Sequence, residues 1–417
     1  MLKKCLRILF NIDNLIISII TTALLCGLLT IIKRLEFLDP VEKVVEELSM
    51  MEVYFHINNS GEKEMSQEIS IVDITDLSER QRDSIAIVVN QIIELKPSIL
   101  GVDVIFERPL SDTEADDKLA NAFLSTPDDI PIVMAEKLSL PNSETRTFGM
   151  VTHSFFVDGL LEEGGVNVIE KPTTNLKHYP VYLMTETDTV YSLPAKIVEI
   201  LSGEKVVPDR DCEHTINYGS VDFPVINYRE LQENKQLITG RKVLLGAFYE
   251  ERDKHLTPLG ELPGIKVLAY TIHSMQQNKH IWQGSLFWII LMAVLAGYFM
   301  NAFEFLMSWL IVKVPKSRGK DIPLFLKFFT ESEIYDKIVA FIFMVFFTGF
   351  AYWLYAKQYI YINTWLALGT IAFIEEGRLI YKAWLVFLYK KGLTKASQHS
   401  IYYKEIKQSA EEPIEDN

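Results

Sequence analysis

The sequence predicts an exported α/β domain, with a mainly parallel sheet flanked by helices, joined to four transmembrane α-helices. Three observations predict it. Long apolar runs lie near the N-terminus and in the last third of the chain. Between them, short runs of branched residues alternate with stretches of helical periodicity. Charge is segregated between the two parts: residues 35–283 hold 42 of the 55 acidic residues and 22 of the 41 basic ones, a balance of −20, and the remainder balances at +6.

The first 13 residues read as a cytoplasmic N-terminus carrying Lys3, Lys4 and Arg7, and residues 14–33 as a membrane anchor. From Leu15 to Ile32 the chain has no charge, and Lys33, Arg34 and Leu35 follow where a cleavable signal needs small residues. Cys26 is preceded by Leu25, which excludes a lipoprotein signal. Residues 34–283 form the extracytoplasmic domain. Val41, Val44, Val45, Leu48 and Met51 predict a stalk helix behind Pro40, and "NNSGEKEMSQE" a surface loop.

The α/β pattern then begins. "ISIVDITD" predicts a strand, "LSERQRDSIAIVVNQIIELKP" a helix, "SILGVDVIFERP" a strand, "SDTEADDKLANAFL" an acid-started helix and "DIPIVMAEKL" a third strand. Nearly continuous apolar strands separated by helices imply parallel pairing with both faces covered. "HYPVYLMTETDTVYSLPAKIVEIL" reads as two short strands and a helix starting near Pro194, "HTINYGSVDFPVINYREL" as two short strands around a turn, and "GRKVLLGAF" as a further buried strand. Pro263 and Gly264 then open a helix whose Ile265, Leu268, Ala269, Ile272 and Met275 share one face, and Trp282 follows at the start of the next apolar run.

Residues 285–312 predict the second span, 313–337 a basic cytoplasmic loop with Lys313, Lys316, Arg318, Lys320 and Lys327, 338–356 the third span, and 359–376 the fourth, with an apolar-faced continuation to 388. Residues 389–417 read as a disordered cytoplasmic tail. Asn301, Glu304, Glu375 and Glu376 fall at span ends, where interfacial placement accounts for them.

The acidity of residues 35–283 argues against nucleic acid as a partner. Only Cys212 of the three cysteines lies there, so no intrachain disulfide staples the domain. No metal-protease, serine-hydrolase, phosphate-loop or Cys-x-x-Cys signature is present, and His153 and His255 read as surface or loop residues.

Together, "IVDITDLS", "ILGVDVIFERPLSDTEADDKLANAF", "TINYGSVDFPVINYREL" and "GRKVLLGAFYEERDKHLTPLGELPGIKVLAYTIHSMQQNKHI" resemble the second type of CHASE domain, an exported sensory domain found beside bacterial cyclases and histidine kinases. Asp73, Asp103, Phe106, Asp253, Thr257, Pro258, Pro263 and Gly264 occupy the family's motif positions, and three spans follow as in that layout. The resemblance implies a multi-pass protein of the bacterial inner membrane, set among membrane lipid, with both termini cytoplasmic and a homodimeric signalling mode. Members usually continue into a kinase or cyclase. This chain continues instead into "KASQHSIYYKEIKQSAEEPIEDN", so a separate output protein is expected and enzymatic activity is not.

Asp73, Asp76, Asp103 and Glu107 lie at or just past the carboxyl ends of two predicted strands, and Asp253 follows a third, where open α/β sheets bind ligands. Such carboxylates suit a hard cation or a cationic ligand of unknown identity; the competing reading is that Asp73 and Asp103 cap loops and helix starts. No cofactor is expected, and whether a metal binds is left open. Pro263, Gly264, Ile265, Leu268, Ile272, Met275 and Trp282 mark the segment that would couple the domain to the second span. The functional expectation is reception of an extracytoplasmic cue and its transmission through the helix bundle. A scaffold that binds another envelope protein without sensing, and a metal-dependent periplasmic hydrolase, are the alternatives.

Overall fold

A computed structural model of the chain describes residues 10–32, 63–111, 113–139, 148–149, 151–157, 159–168, 175–185, 188–209, 212–219, 221–277, 282–313, 323, 332–358, 360–393 and 400–411. The chain divides into two units, Met51–Trp282 and Met1–Met50 with Gln283–Asn417. The predicted stalk helix and most of the basic loop lie outside the described residues.

In the first unit, β1 (Ile69–Asp73), α2 (Arg82–Glu94), β2 (Ile99–Val102), α3 (Thr113–Leu124) and β3 (Ile132–Leu138) follow the predicted alternation; α1 belongs to the membrane unit. They are joined by β4 (Glu162–Gly165), α4 (Leu193–Ser202), β5 (Val225–Asn227) and β6 (Lys242–Gly246). The sheet runs β5-β1-β6-β2-β3-β4 with every pairing parallel, and Val151–Thr152 adds an antiparallel strand on β3. The strand from "GRKVLLGAF" thus inserts between β1 and β2, and β5, expected to pair locally, joins the sheet edge.

Side chains alternate across a strand, so each strand feeds two cores. Val72, Leu100, Val102, Met134, Val243 and Leu245 pack with α2 and α3 around Ile85, Val89, Leu119 and Phe123. On the opposite face α4 lies close to β2: a Cβ on Gly101 would meet Ile197 Cδ1 at 2.7 Å and Leu244 Cδ2 at 2.8 Å. α4 is well delimited. Ser192 caps it by accepting from the Ala195 N–H, Pro194 sits in its first turn, and Gly203 ends it at φ 71°.

A hairpin missing from the expectation, β7 (Lys254–Thr257) and β8 (Gly260–Pro263), leads into α5 (Gly264–Gln276). α5 buries Ile265, Leu268, Ile272 and Met275, as its periodicity predicts.

The second unit holds α1 (Ile12–Ile32), α6 (Leu286–Ser308), α7 (Glu333–Gln358), α8 (Trp365–Ala372), α9 (Ile374–Lys390) and α10 (Tyr403–Glu411). Among the described residues three helices are long and apolar enough to cross a membrane: 12–31, 286–311 and 334–358. Residues 359–376, expected as the fourth span, are not one unbroken helix, yet they run along α1, with Thr370 beside Thr22 and, in α9, Tyr381 donating to Asp13. Ile360–Tyr361 is extended, α8 has only 8 residues, and the chain breaks at Phe373 before α9. Glu375 and Glu376 lie in the first turn of α9, with Arg378 just after them.

Asn301 and Glu304 are not at exposed span ends; both are buried. Asn301 donates to Asn14 at 2.8 Å, while Arg378 donates to Asn301 at 2.9 Å and pairs with Glu304 at 2.6 Å. Asp13 accepts from Tyr381, from Ser400 and from the Ile401 N–H. Part of the stretch expected to be disordered is therefore docked: α10 buries Ile406 and pairs Glu405 with Lys382 at 2.7 Å. Its apolar face, rather than its acidic composition, decides this. Close helix approach rests on small residues, since Cβ atoms on Gly297 and Gly377 would run into Ser18 and Thr21 of α1.

Candidate functional site

The carboxyl ends of β1, β6 and β2 form one row. Asp73 pairs with Gly246 and Leu245 with Val102, and the Asp103 N–H donates to Leu245 O at 2.8 Å. Asp73 and Asp103 therefore flank Gly246. A side chain at 246 would strike Ile265 of α5 at 2.9 Å and Asp103 Cβ at 3.1 Å, which is why glycine stands there.

Asp73 is buried, and its Oδ1 accepts from the Thr75 N–H at 3.0 Å, the Thr75 hydroxyl at 2.5 Å and the Phe248 N–H at 3.0 Å. The Thr75 hydroxyl oxygen in turn accepts from the N–H groups of Phe248 and Tyr249, both at 2.9 Å. This carboxylate closes the loops after β1 and β6 onto each other. Its lone pairs serve the fold, as the capping alternative supposes.

Asp103 differs. It accepts no hydrogen bond from any described residue and borders a cleft of about 490 Å³ lined by Thr75, Ser78, Glu79, Val104 and Glu250. Burial first, then the charges of Asp253 and Glu250, push its carboxyl up to about 7, with His255 opposing. Burial, then Asp103 and Asp253, also raises the hydroxyl of Tyr179, a fully buried residue.

Asp253 connects this row to α5. Its carboxylate lies directly against the Cα of Gly264, where a Cβ would collide with both oxygens, and its carbonyl accepts from the Gly264 N–H at 2.8 Å. An acidic group at a helix start is favoured by the exposed N–H dipoles there. His255 Nε2 stands 3.6 Å from Asp253 Oδ1.

The other predicted positions do not converge on the cleft. Asp76 is exposed and paired with Arg229 at 2.6 Å, and Glu107 is exposed beyond β2. Trp282 follows residues 278–281, which lie outside the described set, as does its own side chain.

Two features had no signal in the sequence. Arg82, buried at the start of α2, pairs with Asp116 of α3 and donates to Arg108 O at 2.5 Å, while Asp116 accepts from the Leu110 N–H at 2.7 Å. This pin holds the loop after β2, and an arginine in a first helical turn reads otherwise as solvated. Glu136, His153 and Glu163 also come together, from segments with no motif in common.

A family model described as the CHASE2 domain matches residues 21–298 of the chain. No curated protein and no solved structure matches it.

Proposed function

The chain belongs to the CHASE2 domain family, and from that premise we propose that it is a non-enzymatic receptor of the bacterial inner membrane that recognises a cationic extracytoplasmic ligand at Asp103. One observation carries the reading. Asp103 borders a cleft lined by Glu79 and Glu250, its carboxyl accepts no hydrogen bond from any described residue, and it shares Gly246 as a neighbour with Ile265, in the first turn of α5.

A ligand cation drawn to Asp103 changes the field at Asp253, whose carboxylate seats the first residue of α5. Only residues 277–285 separate α5 from α6, the helix over 286–308 with membrane-crossing character. Displacement of α5 is therefore passed on through a short connection, and a separate output protein reads the bundle on the cytoplasmic side. Family membership and the apolar helices support the receptor class; the acidic cleft supports the ligand class.

The test uses the full chain in detergent, with thermal stability measured against polyamines, metal cations and peptidoglycan fragments for wild type and Asp103→Asn. A cationic molecule that stabilises wild type and not the variant supports reception. Stable co-purification of an envelope protein with no ligand effect would establish the scaffold instead. Turnover lost on replacing Asp73 and Asp103 by Asn would establish a hydrolase.

A further inference from the structure

At the other side of the sheet we propose that Glu136, His153 and Glu163 form a binding site for one divalent transition-metal ion of the zinc class. The site is separate from the Asp103 cleft and stands independently of the receptor reading.

Three segments build it. Glu136 projects from β3, Glu163 from the neighbouring β4, and His153 follows the short strand Val151–Thr152 on the opposite side of β3. One donor atom from each lies within 4.8 Å of the other two. His153 Nδ1 stands 3.0 Å from Glu163 Oε1, 2.9 Å from Glu163 Oε2 and 3.4 Å from Glu136 Oε2. A tetrahedral shell with metal–ligand bonds of about 2.0–2.2 Å places its donors roughly 3.3–3.6 Å apart. Bringing His153 and Glu163 to that spacing takes an outward movement of a few tenths of an ångström from His153, whose ring is half exposed.

The second observation is Glu136 itself. It is only 7% exposed, aims its carboxylate at the other two residues, and receives no hydrogen bond from any described residue. A carboxylate so buried is costly without a partner. Its nearest charged neighbour is the His153 ring at 3.4 Å, beyond hydrogen-bond length; Lys196 of α4 acts on it from further away, with its ammonium 3.1 Å from Glu162.

Chemistry selects the ion. Two carboxylates and one neutral imidazole carry −2, which a divalent cation cancels. Imidazole nitrogen beside carboxylate oxygen favours zinc-class ions over calcium or magnesium, which take oxygen shells. In the bound state the neutral imidazole holds its proton on Nε2 and turns the Nδ1 lone pair to the metal. Three protein ligands leave a fourth position open to water. The simpler alternative is a protonated His153 bridging two glutamates.

Cobalt(II) chloride titrated into the chelator-stripped full chain in detergent decides between them. Expected are one equivalent of bound Co²⁺ with the intense visible absorption of a tetrahedral site, its displacement by Zn²⁺, and affinity at least 100-fold weaker in His153→Ala and in Glu163→Gln. Both replaced side chains are at least partly exposed, so neither variant depends on repacking a core. Equal Co²⁺ stoichiometry and spectrum in wild type and His153→Ala would overturn the site, as would wild-type binding with only the faint spectrum of an octahedral aquo ion.

Discussion

Asp73 and Asp103 are the same residue type at the same level of one sheet, on either side of Gly246, and the fold uses them in opposite ways. Asp73 accepts three hydrogen bonds and closes two loops; Asp103 accepts none from the described residues and borders a cleft. A carboxylate at the carboxyl end of a parallel strand is therefore not yet a ligand group. What decides is whether neighbouring N–H groups have already taken its lone pairs, and here the segment after β6 takes those of Asp73 alone.

The contrast can be broken from either side. Asp73→Ala leaves the N–H and hydroxyl of Thr75 without their acceptor and the Phe248 N–H with the Thr75 hydroxyl alone, and is expected to cost about 2–3 kcal/mol, read by pulse proteolysis of the full chain in urea. A loss below about 1 kcal/mol would show that water replaces the carboxylate and that Asp73 is as available as Asp103.

Asp103→Asn is expected to act in the opposite direction. The folded-state carboxyl is raised from its usual value to about 7, so below about pH 4 it is protonated in both states and carries no penalty. As pH rises through 7 the folded state must ionise it, and the penalty is complete above that. Ionising the folded-state carboxyl costs about 2–3 kcal/mol. The variant should therefore gain about that much at pH 8, with the gain fading toward pH 4. A pH-independent effect would contradict the unpaired carboxyl.

Thr75→Val sharpens the comparison without touching either acid. It removes the hydroxyl that bridges Asp73 to the Phe248 and Tyr249 N–H groups, with an expected loss of about 1–2 kcal/mol. Equal destabilisation at pH 5 and pH 8 would place it on the Asp73 side of the row. Asp76→Ala is the smallest. Its partner Arg229 is exposed, so no measurable change in the unfolding midpoint is expected, and a clear loss would mean that the pair anchors the edge strand β5.

How far the site was legible follows from the same physics. The strand ends at Asp73 and Asp103 stood out because apolar runs stop there, and the buried face of α5 because its spacing repeats every turn. Two of the hydrogen bonds that Asp73 accepts come from Thr75, two residues on, but the third comes from Phe248, 175 residues along the chain, and no local pattern encodes that meeting. Arg82 with Asp116, and Glu136 with His153 and Glu163, were illegible for the same reason. Mean apolarity did not register the break at Phe373 between α8 and α9, and the tail misled because net acidity does not register the apolar face that docks α10.

The sequence by itself determined the alternation of strands and helices, the membrane-length runs and the closeness of α5 to the second span, since periodicity and run length are properties of neighbours along the chain. Only the tertiary structure decided that β6 enters the middle of the sheet, which carboxylates stay unpaired, and which histidine faces two glutamates. Strand order and charge pairing are set by which distant segments bury one another, and a buried charge keeps or loses its partner according to that packing.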